Sequence, residues 1–278
     1  MKEILLNEQS LDGQFESIQD FYETLPEMSR NLKIVKDCGV ILQKHSSLFR
    51  RKITKDITLF DLQNKKGNVD PRQRDKLIMW KRQLSALMST PPFWDENLVE
   101  SGDSVVEAAK RKVDVLSFLN ENYKDKILHI LCDGEEQDVR SSVSTGYLVE
   151  GIFQRGYIDR VAYVQQKYQD GRARTCYIDI DSIKELEKNE IEELLEGLRR
   201  FDEAETWKDI TGDRFFDYKS YQPSSAKHNV FAKGDFADKN IDKFRCGQHS
   251  QVRCLGYREG EQFYVLRIER DHRYSDYG

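Results

Sequence analysis

The residues best equipped for chemistry crowd into the last stretch of the chain. Arg245, Arg253, Arg267 and Arg270 supply guanidinium groups, His272 an imidazole, Tyr274 a phenol and Glu269 a carboxylate. Guanidinium forks bind phosphate bidentately. An imidazole titrates near neutrality and serves as acid or base. A phenol stacks on a base or donates a proton, and a desolvated carboxylate accepts one. Cleaving a phosphodiester needs just these functions: positive charge on the phosphoryl oxygens, a base for the nucleophile and an acid for the leaving oxygen. RNA carries its own nucleophile, the 2′-hydroxyl, so the chemistry can proceed without a metal or other cofactor. The residues thus nominate Arg253, Glu269, His272 and Tyr274 for catalysis and Arg245, Arg267 and Arg270 for substrate binding. A plainer role fits them as well, because Arg and Glu facing each other on a hairpin commonly form solvated cross-strand pairs.

A hairpin positions these groups. Val252, Cys254, Leu255 and Tyr257 precede a Glu-Gly turn, and Phe263, Tyr264, Val265, Leu266 and Ile268 follow it. β-Branched and aromatic runs bounded by such a turn predict two antiparallel strands. Strict alternation puts Tyr264, Leu266 and Ile268 on one face of the second strand and Phe263, Val265 and Arg267 on the other. A register shift of one residue would reverse which Arg residues face outward.

Arg253 in one strand, then Tyr257, then Phe263–Ile268 running into Arg270-Asp271-His272-Arg273-Tyr274, resembles the C-terminal strands of RelE/YoeB-type toxins. That resemblance covers about the last forty residues. It implies a small antiparallel sheet with packed helices and metal-independent endoribonuclease activity on RNA, for many members on the ribosome. It carries over residue by residue to Arg253, His272 and Tyr274, with Arg267 or Arg270 as a further phosphate contact. The chain departs from those toxins in being longer and acidic, with a large N-terminal extension. The opening Leu5–Phe15 is similar to the starts of uncharacterised bacterial proteins near phage-defence genes. Together the two resemblances imply a toxin or phage-defence effector.

Composition limits the alternatives. The chain has 278 residues, 38% of them hydrophobic and 33% charged, with a net charge of -5. This balance argues against sequence-blind DNA coating and leaves a local basic site open. No run reaches the roughly 18 apolar residues of a membrane helix, and no signal-peptide pattern opens the chain. Cys38, Cys132, Cys176, Cys246 and Cys254 lack CxxC spacing, which predicts reduced thiols in a cytoplasmic protein. Walker and GxGxxG loops are missing, so a nucleotide-driven motor or dehydrogenase is not expected. Cys246, His249, Cys254 and His272 do not follow zinc-finger spacing, and no metal is assigned. Asp179 and Asp181 after a strand leave a metal-dependent nuclease open as an alternative.

The rest of the chain reads as scaffold. Phe15 to Val35 recur at helical spacing, Asp70-Pro71 starts a second helix and Ser104 caps a third. Ile127–Cys132 predicts a short buried strand. Val161–Tyr168 and Arg174–Ile180 flank Asp170-Gly171 as a hairpin, and Ser182 caps an acidic helix. Residues 201–240 are irregular and rich in aromatics, a pattern of binding or wrapping loops. The expected fold is α+β: a helical region over 1–123, then an α+β region over 124–278. The helical region is the expected surface for a protein partner or antitoxin. A further alternative is a non-catalytic subunit of a defence or toxin–antitoxin complex, docking its partner through the hairpin edge and the aromatic loop.

Overall fold

Ile4, Leu5 and Leu6 are all buried, and their burial makes the first element a strand. Strands covered on both faces read as continuous apolar runs rather than alternating ones. This one, β1 (Glu3–Asn7), pairs in parallel with β2 (Ile41–Gln43) and with β3 (Val115–Ser117). The computed structural model describes residues 1–64, 71–96, 102–223, 225, 229–272 and 274–275. It forms two compact units, residues 1–158 and 159–278.

In the first unit the sheet order is β2-β1-β3-β5-β4. β5 (Glu135–Ser142) runs parallel to β3, and β4 (Lys126–Cys132) closes the edge as an antiparallel strand. Parallel neighbours require crossovers, which helices supply here. Helix α1 (Ile18–Asp37) starts at a reciprocal Ser17–Asp20 capping box and stops before Gly39, whose φ of 64° suits a left-handed cap. Next come α2 (Leu59–Asn64), α3 (Pro71–Ser89), α4 (Ser104–Arg111) and α5 (Thr145–Gln154). The expected cap Asp70 lies outside the described residues. Asp103, one residue before Ser104, caps α4 by accepting from the Val105 and Val106 amides. The core meets at Phe21, Trp80 and Phe118, with edge-on contacts of 6.4 and 6.1 Å at Trp80.

The N-terminal part is therefore α/β rather than helical. Its strands are short, and β1 lacks the alternation that would reveal it. β4 and β5 complete the same sheet, so this unit extends past the change of sequence pattern at Tyr123. β4 itself is a half-exposed edge rather than a buried strand.

The second unit holds α6 (Arg160–Lys167), β6 (Ala173–Arg174), α7 (Ile180–Lys184), α8 (Lys188–Glu203) and α9 (Trp207–Gly212). Strands β7 (Lys219–Ser220), β8 (Ile241–Arg245), β9 (Arg253–Glu259) and β10 (Gln262–Glu269) follow. Their order is β6-β10-β9-β8-β7, antiparallel except for β6 beside β10. Val161–Tyr168 is a helix, not the expected strand. Asp159 accepts from the Ala162 amide at 2.8 Å, and Tyr163, Val164 and Tyr168 share a buried stripe. Glu187, not Ser182, caps the acidic helix α8. Ser182 accepts from the Ile268 amide at 3.0 Å and ties α7 to β10.

The predicted hairpin β9–β10 is present, with Gly260 in its turn at a φ of 59°. The face assignment along β10 is not strict alternation. A bulge between Val265 and Arg267 inserts Leu266. Phe263, Val265 and Ile268 therefore face the core, where Phe201, Phe244 and Leu198 meet them. Tyr264, Arg267 and Glu269 share the other face. Two glycines permit the close packing: a Cβ on Gly197 of α8 would sit 2.7 Å from the Cys246 Cα, and one on Gly256 would sit 2.0 Å from the Tyr264 carbonyl oxygen.

Gly256→Ala should destabilise the second unit by about 3 kcal/mol, at the upper end of ordinary overpacking costs. Urea unfolding followed through Trp207 fluorescence checks this, because Trp207 is buried edge-on against Phe201.

Candidate nucleic-acid interface

Register fixes what the outer face of the second sheet carries. Arg174, Tyr264, Tyr257 and Ile241 lie in one row across β6, β10, β9 and β8. Arg267, Leu255, Lys243 and Lys219 form the next row, and Glu269, Arg253 and Arg245 the third. In a chain of net charge -5, this face gathers six basic side chains on its strands: Arg174, Arg267, Lys243, Lys219, Arg253 and Arg245.

Arg253 occupies the middle of the third row and is only 4% exposed. It donates to the Gln251 carbonyl at 2.6 Å, and among the described residues no carboxylate stands within ion-pair distance of it. Burial, and after it the facing Arg245, push its pKa below the usual guanidinium value. Lys243 shows the same direction, lowered first by burial and then by Lys219. Cations crowded this way repel one another, and Glu269 opposite Arg253, together with Asp217, offsets only part of the effect.

Its neighbours are more fully engaged. Arg267 is ion-paired with Asp179, donates to the Tyr274 hydroxyl at 3.0 Å and lies 4.4 Å from the centre of that ring. Arg245 pairs with Asp217 at 3.2 Å. Glu269 is buried and accepts from the amides of Tyr274 (2.6 Å) and Ser275 (2.7 Å) and from the Ser275 hydroxyl, so its oxygens anchor the C-terminal segment. The Tyr274 carbonyl in turn accepts from the Tyr221 hydroxyl at 2.9 Å. Arg270 does not join this face. It binds Glu190 and Glu187, each at 3.1 Å, and the Glu185 carbonyl, where it fastens the corner between α7 and α8. His272 follows β10 in a left-handed conformation, φ 57°. Register and hydrogen bonds thus bring together Arg245, Arg253, Arg267, Glu269 and Tyr274.

Tyr257 and Tyr264 stand out in the sequence as hairpin residues, but their stacking and the part of Tyr177 in it do not. Tyr257 and Tyr264 stack across the strands at 4.9 Å with 9° between planes. Tyr177 continues the stack on Tyr264 at 5.7 Å and is 54% exposed. Arg174 lies over Tyr264 and Lys239 over Tyr257, at 5.6 and 4.9 Å. Two signals pointed here. Lys243 and Arg245 alternate with Asp242 and Phe244, which marks β8 as a strand, and Tyr257 and Tyr264 are equidistant from the hairpin turn.

The proposed metal and thiol groups serve the fold. Asp179 caps α7 and holds Arg267, and Asp181 pairs with Lys184 at 2.8 Å. Cys246 and Cys254 touch at 3.6 Å inside the core. Among the described residues no group of three or more His, Cys, Asp or Glu is arranged to hold a metal ion. No helix among them is long and apolar enough to cross a membrane.

The first unit has its own polar centre. A cleft of about 530 Å³, lined in part by Gln9, His45, Arg50, Arg51 and Asp103, opens near the carboxyl ends of β1 and β2. Open α/β sheets commonly bind ligands at such ends. Behind it lies the fully buried Glu8, which accepts from the Ser104 hydroxyl and pairs with Arg51 at 3.4 Å. Ser104 accepts in turn from the Trp94 indole at 3.1 Å. His45 accepts at Nδ1 from the Ser47 amide (3.0 Å) and packs 4.8 Å from Trp94. Among the described residues the His45 Nε2 and Arg51 Nε atoms of this cluster are buried without a hydrogen-bond partner, and His45 Nε2 lies 3.5 Å from Asp95. No protein-family model, curated protein or solved structure matches the chain.

Burial raises the Glu8 pKa above the ordinary carboxylate value, and the Ser104 hydrogen bond only partly opposes it. A raised folded-state pKa contributes stability that is full below the unfolded value and lost as pH rises through the folded one. The stability difference between Glu8→Gln and wild type should therefore move in the variant's favour from about pH 4 to pH 7. Urea midpoints across that range measure it.

Proposed function

We propose that the second unit binds single-stranded RNA across the outer face of its sheet and cuts it without a metal, as an effector ribonuclease of the RelE-like kind. The observation that carries this reading is Arg253: a buried guanidinium facing Arg245, with no carboxylate at ion-pair distance among the described residues and its charge only partly offset by Glu269 and Asp217. The adjoining tyrosines have the character of a base-stacking platform, and stacking on aromatic rings tolerates any base.

In this reading a phosphate sits between Arg253 and Arg267. The 2′-hydroxyl loses its proton to a base and attacks the adjacent phosphorus. The bond to the 5′-oxygen breaks, and that oxygen takes a proton from an acid. The products are a 2′,3′-cyclic phosphate and a 5′-hydroxyl end. His272 and Tyr274 are the proton carriers proposed here. Glu269 acts by holding the Tyr274 backbone, because its oxygens are already occupied by donors. Arg270 acts by holding α8 in place.

A fluorescent single-stranded RNA of about twelve nucleotides, a length within one such platform's reach, tests this. Wild type should bind it with strong salt dependence and cleave it in EDTA. Tyr177→Ala should weaken binding by about tenfold or more, the loss of one stacked base at the exposed end of the stack. His272→Ala should abolish cleavage while binding persists. Cleavage unchanged in that variant would remove the catalytic assignment, and absence of salt-sensitive binding by wild type would remove the RNA reading altogether.

A further inference from the structure

Among the described residues β4 ends the first unit's sheet with one side unpaired. It joins β5 through the two-residue turn Asp133-Gly134, both at positive φ. In such a hairpin Cys132 and Glu135 form the closing hydrogen-bonded pair. Residues 128 and 130 then direct their backbone groups at β5, and Ile127, His129 and Leu131 direct theirs at the open edge. The side chains of these three also leave the protein: Leu131 is 76% exposed and Ile127 37%. His129 is 61% exposed, held 2.7 Å from Asp138. Soluble proteins blunt such edges with Lys, Pro or a bulge. Between Ile127 and Leu131 this strand has none of them.

The stretch Ile127-Leu128-His129-Ile130-Leu131 has nearly the same pattern in both directions about His129. We infer that β4 pairs antiparallel with β4 of a second copy of this chain, on a twofold axis at His129. The outward backbone groups meet in that register. His129 exchanges both its hydrogen bonds with His129 of the second copy, and Ile127 does the same with Leu131 of the second copy. The exposed apolar side chains cover each other as cross-strand pairs. Charge favours the same arrangement. Lys124 and Lys126 at one end of the strand come beside the second copy's acidic turn, Asp133 and Glu135, while Asp125 between them is engaged by the Val143 and Ser144 amides of its own chain; a parallel pairing would set Lys beside Lys. A shared edge of this kind is isologous and closes on itself as a dimer.

The full chain, analysed by light scattering or sedimentation at micromolar concentration, tests this. Wild type should show twice the 32.7 kDa chain mass. Leu131→Glu and Ile127→Lys should each remain at the monomer mass with unchanged circular dichroism. The double variant Ile127→Lys/Leu131→Glu should dimerise again, because each new Lys faces a new Glu across the axis. Within one chain those positions are about 13 Å apart along the strand, too far to pair with each other. A wild type that stays monomeric, a dimeric single variant or a monomeric double variant would overturn the inference.

Discussion

The bulge in β10 decides what the second unit presents. Without Leu266 as the extra residue, Arg267 and Glu269 would turn into the hydrocarbon core and Ile268 would turn out. Two charges would then lose their water with no partners beside Phe201 and Phe244. With it, one strand delivers Phe263, Val265 and Ile268 inward and Tyr264, Arg267 and Glu269 outward. Only in that register does Glu269 join the row of Arg253 and Arg245. Glu269 then collects the amides of Tyr274 and Ser275, so the chain end becomes part of the sheet face.

The two units handle buried charge in different ways. In the first, Glu8 lies where the segments around β1, Arg51, Trp94 and α4 converge, and each supplies a donor or a chain of donors. Its carboxylate is enclosed and locally satisfied. In the second, cations face cations, and the carboxylates Asp179 and Asp217 answer Arg267 and Arg245 from outside the strands. Burial disfavours the charged form of Glu8 despite its partners. On the sheet face burial and Arg245 disfavour the charge of Arg253, although Glu269 and Asp217 offset part of the effect. Perturbed groups of the second kind are commoner at binding surfaces.

Part of this architecture was legible in the sequence, and what was missed has physical causes. α1 carried a long apolar period and a capping box, and the β9–β10 hairpin carried β-branched residues around a glycine turn. β1 did not alternate, because both its faces are covered. Tyr163, Val164 and Tyr168 fit either period over so short a span, and only the Asp159 cap decides for a helix. The candidate site was half visible. Arg253, Arg267, Glu269 and Tyr274 do converge, but the bulge that selects their face leaves no signature in the amino-acid types. Arg270 looked equivalent to Arg267 and is instead fixed by Glu187 and Glu190, about eighty residues away in the chain.

The tyrosine stack has an entropic consequence. Tyr257 and Tyr264 lie within 9° of parallel, and Tyr177 extends the pile to the surface. Their rotational freedom was surrendered when the unit folded, so a planar group arriving at Tyr177 meets rings that need no further ordering. The inner rings are already in contact with one another. The stack can therefore lengthen only at its outer end, one planar group at a time, with its tilt set in advance by the protein.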